Sequence, residues 1–149
     1  MFGPCYHLIG EEEKLKAISE AKRVTKKDGI IMIAYTMNEY SVLTYCMKEG
    51  RLSSIMEKRG LSEDFHIQAA ENELYDYVRI EDIRKLDEKS GLEPVMIFSP
   101  DGPSDYMRRE LNAMDDDTFL AFKKYVLSVS ARKDLIGAGS HVVDVVRKI

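Results

Sequence analysis

The sequence contains few of the residues that build disulfide scaffolds and common metal sites. Its two cysteines, Cys5 and Cys46, are too few for a disulfide-rich fold, and neither belongs to a CxxC pair. The three histidines, at positions 7, 66 and 141, lack the local spacing of a zinc site. The sequence therefore predicts reduced thiols, a cytoplasmic location and no metal ion.

Long apolar runs and an excess of positive charge are also missing. No stretch approaches the roughly 20 apolar residues that cross a bilayer, and the acidic run Glu11–Glu13 comes too early for a signal peptide. With a net charge of −4, the chain has no surplus of Lys and Arg to follow a phosphate backbone. We therefore expect neither a membrane nor a nucleic acid as partner.

The hydrophobic pattern indicates alternating helices and strands. Apolar residues recur every three to four positions between Glu11 and Lys27, which predicts a helix that ends at Asp28-Gly29. The unbroken apolar run Ile30–Tyr35 then predicts a short strand covered on both faces of a parallel sheet. A helix followed by a buried strand is typical of the α/β class.

The remainder of the chain repeats this order around one insertion. Residues 38–77 have irregular helical spacing with glycine breaks, which predicts a helical cap with Asn38 as its N-cap. After this cap we predict a helix through Ile80, Ile83 and Leu86 that ends at Gly91, followed by a strand at 95–98. Two helices are predicted next, at 104–114 and at 115–132, and Asp115 would cap the second. The last predicted element is a strand at 141–146. We interpret residues 1–149 as one α/β domain.

The first 35 residues contain the segment Gly3–Leu8, then Glu20–Lys27 and Gly29 before the apolar run Ile30–Tyr35. This order of motifs resembles the second half of a class I S-adenosylmethionine-dependent methyltransferase. In that family the fourth strand ends in a loop of the type G-P-x-Y-H-L, followed by a helix carrying E-A-x-R-V-x-K, a Lys-rich turn with glycine and the fifth strand. The matching residues here are Gly3, Pro4, Tyr6, His7 and Leu8, then Glu20, Ala21, Arg23, Val24, Lys26 or Lys27, and Gly29 before Ile30–Tyr35. The register continues without a gap over more than thirty residues, while the later strands fit the family only in their order.

The resemblance implies a partial Rossmann-like fold with a mixed three-stranded sheet and a helical cap. It implies that strands 30–35, 95–98 and 142–146 share one sheet, with the last antiparallel between the other two. The implied function is the substrate-side portion of a methyltransferase that acts on a small molecule or another nucleophile. The alternative is a non-catalytic remnant that serves as a binding or structural module.

The family's glycine-rich cofactor loop has no counterpart in this sequence. The nine glycines form no such cluster; Gly137 and Gly139 make a GxG pair without a preceding strand or a following helix. The chain therefore looks like the C-terminal half of such an enzyme, either a truncated gene product or a fragment whose Met1 was internal. S-adenosylmethionine would be the cofactor of the complete protein, and we expect weak or absent binding by this chain alone.

The family comparison also suggests candidate site residues. Tyr6 and His7 stand in the loop after the family's fourth strand, where they would contact the cofactor; His7 is either a general base or a structural cap of the next helix. Candidates for the substrate side are Tyr35 and Met37 at the end of the fifth strand, Tyr40, Tyr45 and His66 in the cap, and His141 before the last strand. The aromatic residues of the cap either form a lid that selects the substrate or simply pack in the core of the cap. Without a neighbouring fourth strand, residues 30–35 would expose an apolar edge, which predicts self-association.

Overall fold

A computed structural model describes residues 1–58 and 60–149. In chain order the helices are α1 (Pro4–His7), α2 (Glu11–Val24), α3 (Asn38–Ser41), α4 (Leu52–Glu57), α5 (Ile80–Ser90), α6 (Arg108–Asn112) and α7 (Asp116–Val129), and the strands are β1 (Ile30–Met37), β2 (Tyr77–Val78), β3 (Leu92–Phe98) and β4 (His141–Lys148). A π-helical stretch, Val42–Lys48, continues α3, and a 3-10 turn, Ile136–Ala138, precedes β4. The protein belongs to the α/β class.

The four strands form one mixed sheet in the order β2-β1-β4-β3. β4 pairs antiparallel with β1, from Ile30↔Arg147 to Thr36↔His141, and antiparallel with β3 on its other side. This confirms the predicted central, antiparallel position of the last strand. The predicted number of three strands is wrong, because the two-residue strand β2 adds parallel to the end of β1.

The core lies on one face of this sheet, beneath α2 and α5. Alternate β1 residues, Ile31, Ile33 and Tyr35, are buried there together with Ile18 of α2 and Ile83 of α5. Side chains of a strand alternate between the two faces of a sheet, so the intervening residues point to the other side.

The opposite face of the sheet is only partly covered. Ala34, Val143 and Val145 are buried on it, but Ile30 is 48% exposed, Met32 37% and Met96 45%. The prediction of a strand covered on both faces is therefore wrong for the first half of β1. The apolar run in β1 is continuous in the sequence, but only alternate residues of the strand contact the helices α2 and α5.

Two other segments contact the outer edge of β1. The Met1 carbonyl accepts a hydrogen bond of 3.0 Å from the Ala34 amide, and the Met1 amino group donates one of 2.5 Å to the Met32 carbonyl. Further along the same edge, β2 pairs with Thr36 and Met37. The open apolar edge predicted for residues 30–35 is thus shorter than expected, and it is confined to the start of β1.

Residues 38–77 are helical only in their first half. They contain α3, the π-helical stretch and α4, after which the described residues up to 76 form turns and one isolated bridge, Leu61↔Ile67. The prediction of a mainly helical cap is wrong for this second half. Asn38 is also not an N-cap: it is fully buried, and its side-chain amide bonds to the backbone of Phe65 and Ile67.

The C-terminal helices differ from expectation in length. Helix α6 covers only Arg108–Asn112, because turns occupy 101–107 where a helix from 104 was predicted. Asp115 caps α7 as predicted, with its carboxylate accepting a hydrogen bond of 2.7 Å from the Thr118 amide. Within residues 1–58 and 60–149, no helix has both the length and the apolar character needed to cross a bilayer.

Candidate functional site

Aromatic residues from three distant parts of the chain meet at one end of the sheet. The ring centroid of Tyr6, in α1, lies 4.7 Å from that of His7, 6.2 Å from that of Tyr75 and 6.4 Å from that of His141. The Asp76 amide also donates to the Tyr6 carbonyl at 2.9 Å, which fixes the end of the 38–76 segment against α1. The structure thus brings together Tyr6, His7 and His141, three of the residues suggested by the sequence.

His7 bonds to the 38–76 segment and stacks on Tyr75. Its Nδ1 lies 2.8 Å from the carbonyl oxygen of Leu74, and the two rings have centroids 5.1 Å apart. A carbonyl oxygen can only accept, so Nδ1 carries the proton and Nε2 keeps the lone pair of the neutral ring. This tautomer leaves Nε2 as the atom able to accept a proton.

His141 belongs to a polar cluster that we call the Asp-His cluster: Asp101, Asp105, Ser140 and His141. Nδ1 of His141 lies 2.7 Å from Oδ2 of Asp101 and 2.9 Å from Oγ of Ser140. The same hydroxyl lies 2.6 Å from one carboxylate oxygen of each aspartate. One hydroxyl proton can be donated to only one acceptor at a time, so Ser140 cannot satisfy both carboxylates at once.

Close packing of two turns assembles this cluster. Asp101 and Asp105 follow β3, whereas Gly139 and Ser140 directly precede β4 and His141 is its first residue. A side chain at Gly139 would place its first carbon 2.5 Å from Oγ of Ser99 and 3.0 Å from the Gly102 carbonyl oxygen. Only glycine permits this approach, which gives the second glycine of the GxG pair a structural explanation.

Hydrogen bonds within the cluster shift the protonation equilibria of its members. The bond to Asp101 raises the pKa of His141 above its ordinary value, against the opposing effect of burial. Burial acts to raise the pKa of Asp101, but the hydrogen bonds with His141 and Ser140 outweigh it and the net pKa is lowered. The Ser140 hydroxyl and Arg108 lower the pKa of Asp105. Both aspartates are therefore carboxylates at neutral pH.

Other predicted site residues lie apart from this arrangement. Tyr35 and Met37 are fully buried in the core. Nε2 of His66 is 3.2 Å from the Tyr77 carbonyl oxygen and 3.7 Å from Oδ2 of Asp82.

Tyr40 and Tyr45 lie in the helical half of the 38–76 segment. The Tyr40 ring contacts that of Tyr106 edge to face at 4.9 Å, and the Tyr106 hydroxyl donates to the Ala138 carbonyl at 2.8 Å. Tyr45 lines a separate cavity of about 470 Å³ together with Tyr75 and Tyr77. Tyr75 thus has contacts on both the aromatic group and this cavity.

Sequence reasoning missed Asp101, Asp105 and Ser140. The available signal was the segment SPDGPSD directly after the predicted strand 95–98, since acidic residues at a strand end can meet a neighbouring strand terminus. The predicted helix 104–114 begins inside this segment, so Asp105 is assigned to a helix and Asp101 to the connection before it, and neither is considered as a site residue. Ser140 carries no signal beyond its position next to His141.

No protein-family model matches this chain, and the curated proteins compared with it include no match either.

Proposed function

We propose that this chain is the substrate-side portion of an S-adenosylmethionine-dependent methyltransferase, with a partial Rossmann-like fold. The observation that carries the proposal is the convergence of His141 with the adjacent residues Tyr6 and His7, which lie at the opposite end of the sequence; all three were selected from the family resemblance. Their rings occupy one end of the sheet, with Tyr6 between the two histidines. The central antiparallel last strand, which the resemblance also implied, supports the same proposal.

The chemistry of this aromatic group suits the proposed role. Methyl transfer requires the acceptor atom to be aligned with the sulfonium of the cofactor, and rigid aromatic walls provide such alignment. Tyrosine faces also attract cationic groups such as a sulfonium. His7, whose Nε2 is the ring nitrogen that does not contact the Leu74 carbonyl, is the residue we assign as general base if the acceptor must lose a proton. We assign a small molecule as acceptor and the cytoplasm as location.

A non-catalytic binding module is the second candidate. It is favoured by the absence from the 149 residues of a glycine-rich loop between a strand and a helix. Backbone amides of such a loop hold the cofactor, and each lost hydrogen bond costs about 1 kcal/mol of affinity. This chain alone is therefore expected to bind S-adenosylmethionine weakly or not at all.

Calorimetry on two proteins tests the proposal: the 149-residue chain alone, and the same chain extended by whatever the genome encodes directly before Met1. The extended protein should bind S-adenosylmethionine in the micromolar range, and Tyr6→Ala should weaken binding roughly tenfold, about 1.4 kcal/mol. Tyr125→Ala, on exposed α7, is the control and should have no effect. Absence of binding by the extended protein, or equal binding by the Tyr6 variant, would favour the non-catalytic module.

A further inference from the structure

We infer that the Asp-His cluster is a binding site for a divalent transition-metal ion, with Asp101, Asp105 and His141 as its protein ligands. One ligand atom from each of these residues lies within 4.8 Å of the others. Two carboxylates and one imidazole can all contact a single ion of this class, whose bonds to oxygen and nitrogen are about 2.0–2.2 Å long. The inference does not depend on the proposed methyltransferase activity.

The ligands are held in place from separate parts of the fold. Asp101 and Asp105 are four residues apart in the turns after β3, and His141 is the first residue of β4. All three are partly buried. The Ser99 hydroxyl contacts Oδ1 of Asp101 and the His141 carbonyl, each at 3.1 Å, which ties the two segments together. Such preorganisation reduces the cost of collecting the ligands around an ion.

One buried hydroxyl on the same face of the sheet as His141 has no hydrogen-bond partner among the described residues, and the single Ser140 proton cannot serve both aspartates. Ser140 faces two carboxylates with one proton, as described above. Thr36 lies directly opposite His141 in the β1–β4 pair, so both side chains are on the same face of the sheet. The Thr36 hydroxyl is buried without a hydrogen-bond partner among the described residues. A buried hydroxyl in this condition normally contacts a water molecule or a ligand.

The local charge is also suited to a cation. Asp101 and Asp105 are within hydrogen-bond distance of the same hydroxyl, so their negative charges repel each other at close range. Arg108 contacts only Oδ1 of Asp105, at 2.7 Å, and leaves Oδ2 directed at Ser140. Mixed oxygen and imidazole ligands favour Zn²⁺, Mn²⁺ or Co²⁺ over Ca²⁺, which binds oxygen alone.

The first test measures Zn²⁺ binding by calorimetry on metal-free protein. We expect one site per chain with affinity in the micromolar range, weakened roughly 10- to 100-fold in Asp105→Asn and in His141→Gln. The matched controls are Asp134→Asn, at an exposed aspartate, and His66→Gln, at a histidine outside the cluster; neither should change the affinity. Circular dichroism establishes that each variant is folded.

The second test needs no variant and therefore does not depend on folding of the mutants. Paramagnetic Mn²⁺ added to the wild-type protein should broaden the ring signals of His141 before those of His66. Absence of stoichiometric Zn²⁺ binding, unchanged affinity in both cluster variants, or equal broadening of the two histidines would each overturn the assignment. A site at His66 and Asp82 would be revealed by the opposite order of broadening.

Discussion

Asp87 and Asp144 share the guanidinium group of Arg84. Nη1 of Arg84 lies 2.8 Å from Oδ2 of Asp87, on the same helix, and 3.3 Å from Oδ1 of Asp144, in the central strand. Asp144 has no exposed surface, and its Oδ2 has no hydrogen-bond partner among the described residues. Burial and the nearby charge of Asp87 raise the pKa of Asp144 to about 7, and burial raises the pKa of Asp87 as well.

We predict that this pair makes the protein less stable as the pH rises. In the unfolded chain Asp144 loses its proton near its ordinary pKa of about 3.9, whereas the folded protein keeps it until about pH 7. The folded state therefore binds more protons over this interval, and its stability falls with increasing pH. The contribution of Asp144 to the free energy of unfolding is complete below about pH 4 and is lost by about pH 8. Between these values the free energy of unfolding falls by at most about 1.4 kcal/mol per pH unit.

Urea unfolding at pH 5.5 and pH 8 measures this effect in Asp144→Asn. The amide cannot ionise, so the variant should lose less stability between the two pH values and should exceed the wild type at pH 8 by about 1–3 kcal/mol. Asp134→Asn, at an exposed position, should follow the wild type at both. Equal pH dependence in Asp144→Asn and wild type would show that Asp144 is ionised throughout.

Asn38→Ala is predicted to destabilise the protein by about 2 kcal/mol, because buried backbone groups would lose their partners. The Asn38 side chain donates to the Phe65 carbonyl at 2.9 Å and accepts from the Ile67 amide at 2.8 Å. It thereby holds Phe65 at a φ of 62°, which is rare for an aromatic residue. In Asn38→Ala, hydrogen exchange at the Ile67 amide should be faster than in the wild type. Asn112→Ala, at an exposed site, is the control and should leave this exchange rate unchanged. Unaltered exchange in Asn38→Ala would contradict this role.

Lys14→Met is predicted to cost about 3 kcal/mol, since it leaves the partly buried Asp76 carboxylate without its cation. Lys14 is almost fully buried; its ammonium group pairs with Asp76 and donates to the Leu8 carbonyl at 2.6 Å. Thermal unfolding should show that the double variant Lys14→Met/Asp76→Asn is more stable than Lys14→Met alone. Lys16→Met, in an exposed pair with Glu13, is the control and should have little effect. Equal stability of both lysine variants would contradict the prediction.

The sequence predicted the sheet better than it predicted the segments between its strands. β4 could be placed because its apolar run and the family order agree, and Gly91 ends α5 with a φ of 57°, as helix-ending glycines often do. β2 could not be predicted, since a two-residue strand has no period and depends on pairing with Thr36 and Met37. Asn38 was misassigned because its partners, Phe65 and Ile67, are distant in sequence.

The candidate site shows the same division. Tyr6, His7 and His141 could be proposed from the family resemblance, whereas Asp101 joins them only because Gly139 allows two turns to pack closely. Tyr35 stands at a strand end in the sequence, where ligands often bind, but the alternation of β1 directs it into the core. Local sequence cannot indicate which face of a strand the helices will cover.

The last prediction concerns self-association through the start of β1. Ile30 lies before the Met1 backbone contact, which reaches only as far as the Met32 carbonyl, and the side chains of Ile30, Met32 and Met96 are exposed on the same face of the sheet. Apolar side chains beside an open strand edge favour pairing with another chain. Sedimentation velocity should show a concentration-dependent dimer for the wild type, and Met32→Lys should shift it toward monomer because the charge would be buried at the interface. Leu127→Lys, 76% exposed on α7, is the matched control and should still dimerise. A wild-type monomer at all concentrations, or dissociation caused only by Leu127→Lys, would show that the edge of β1 is not the interface.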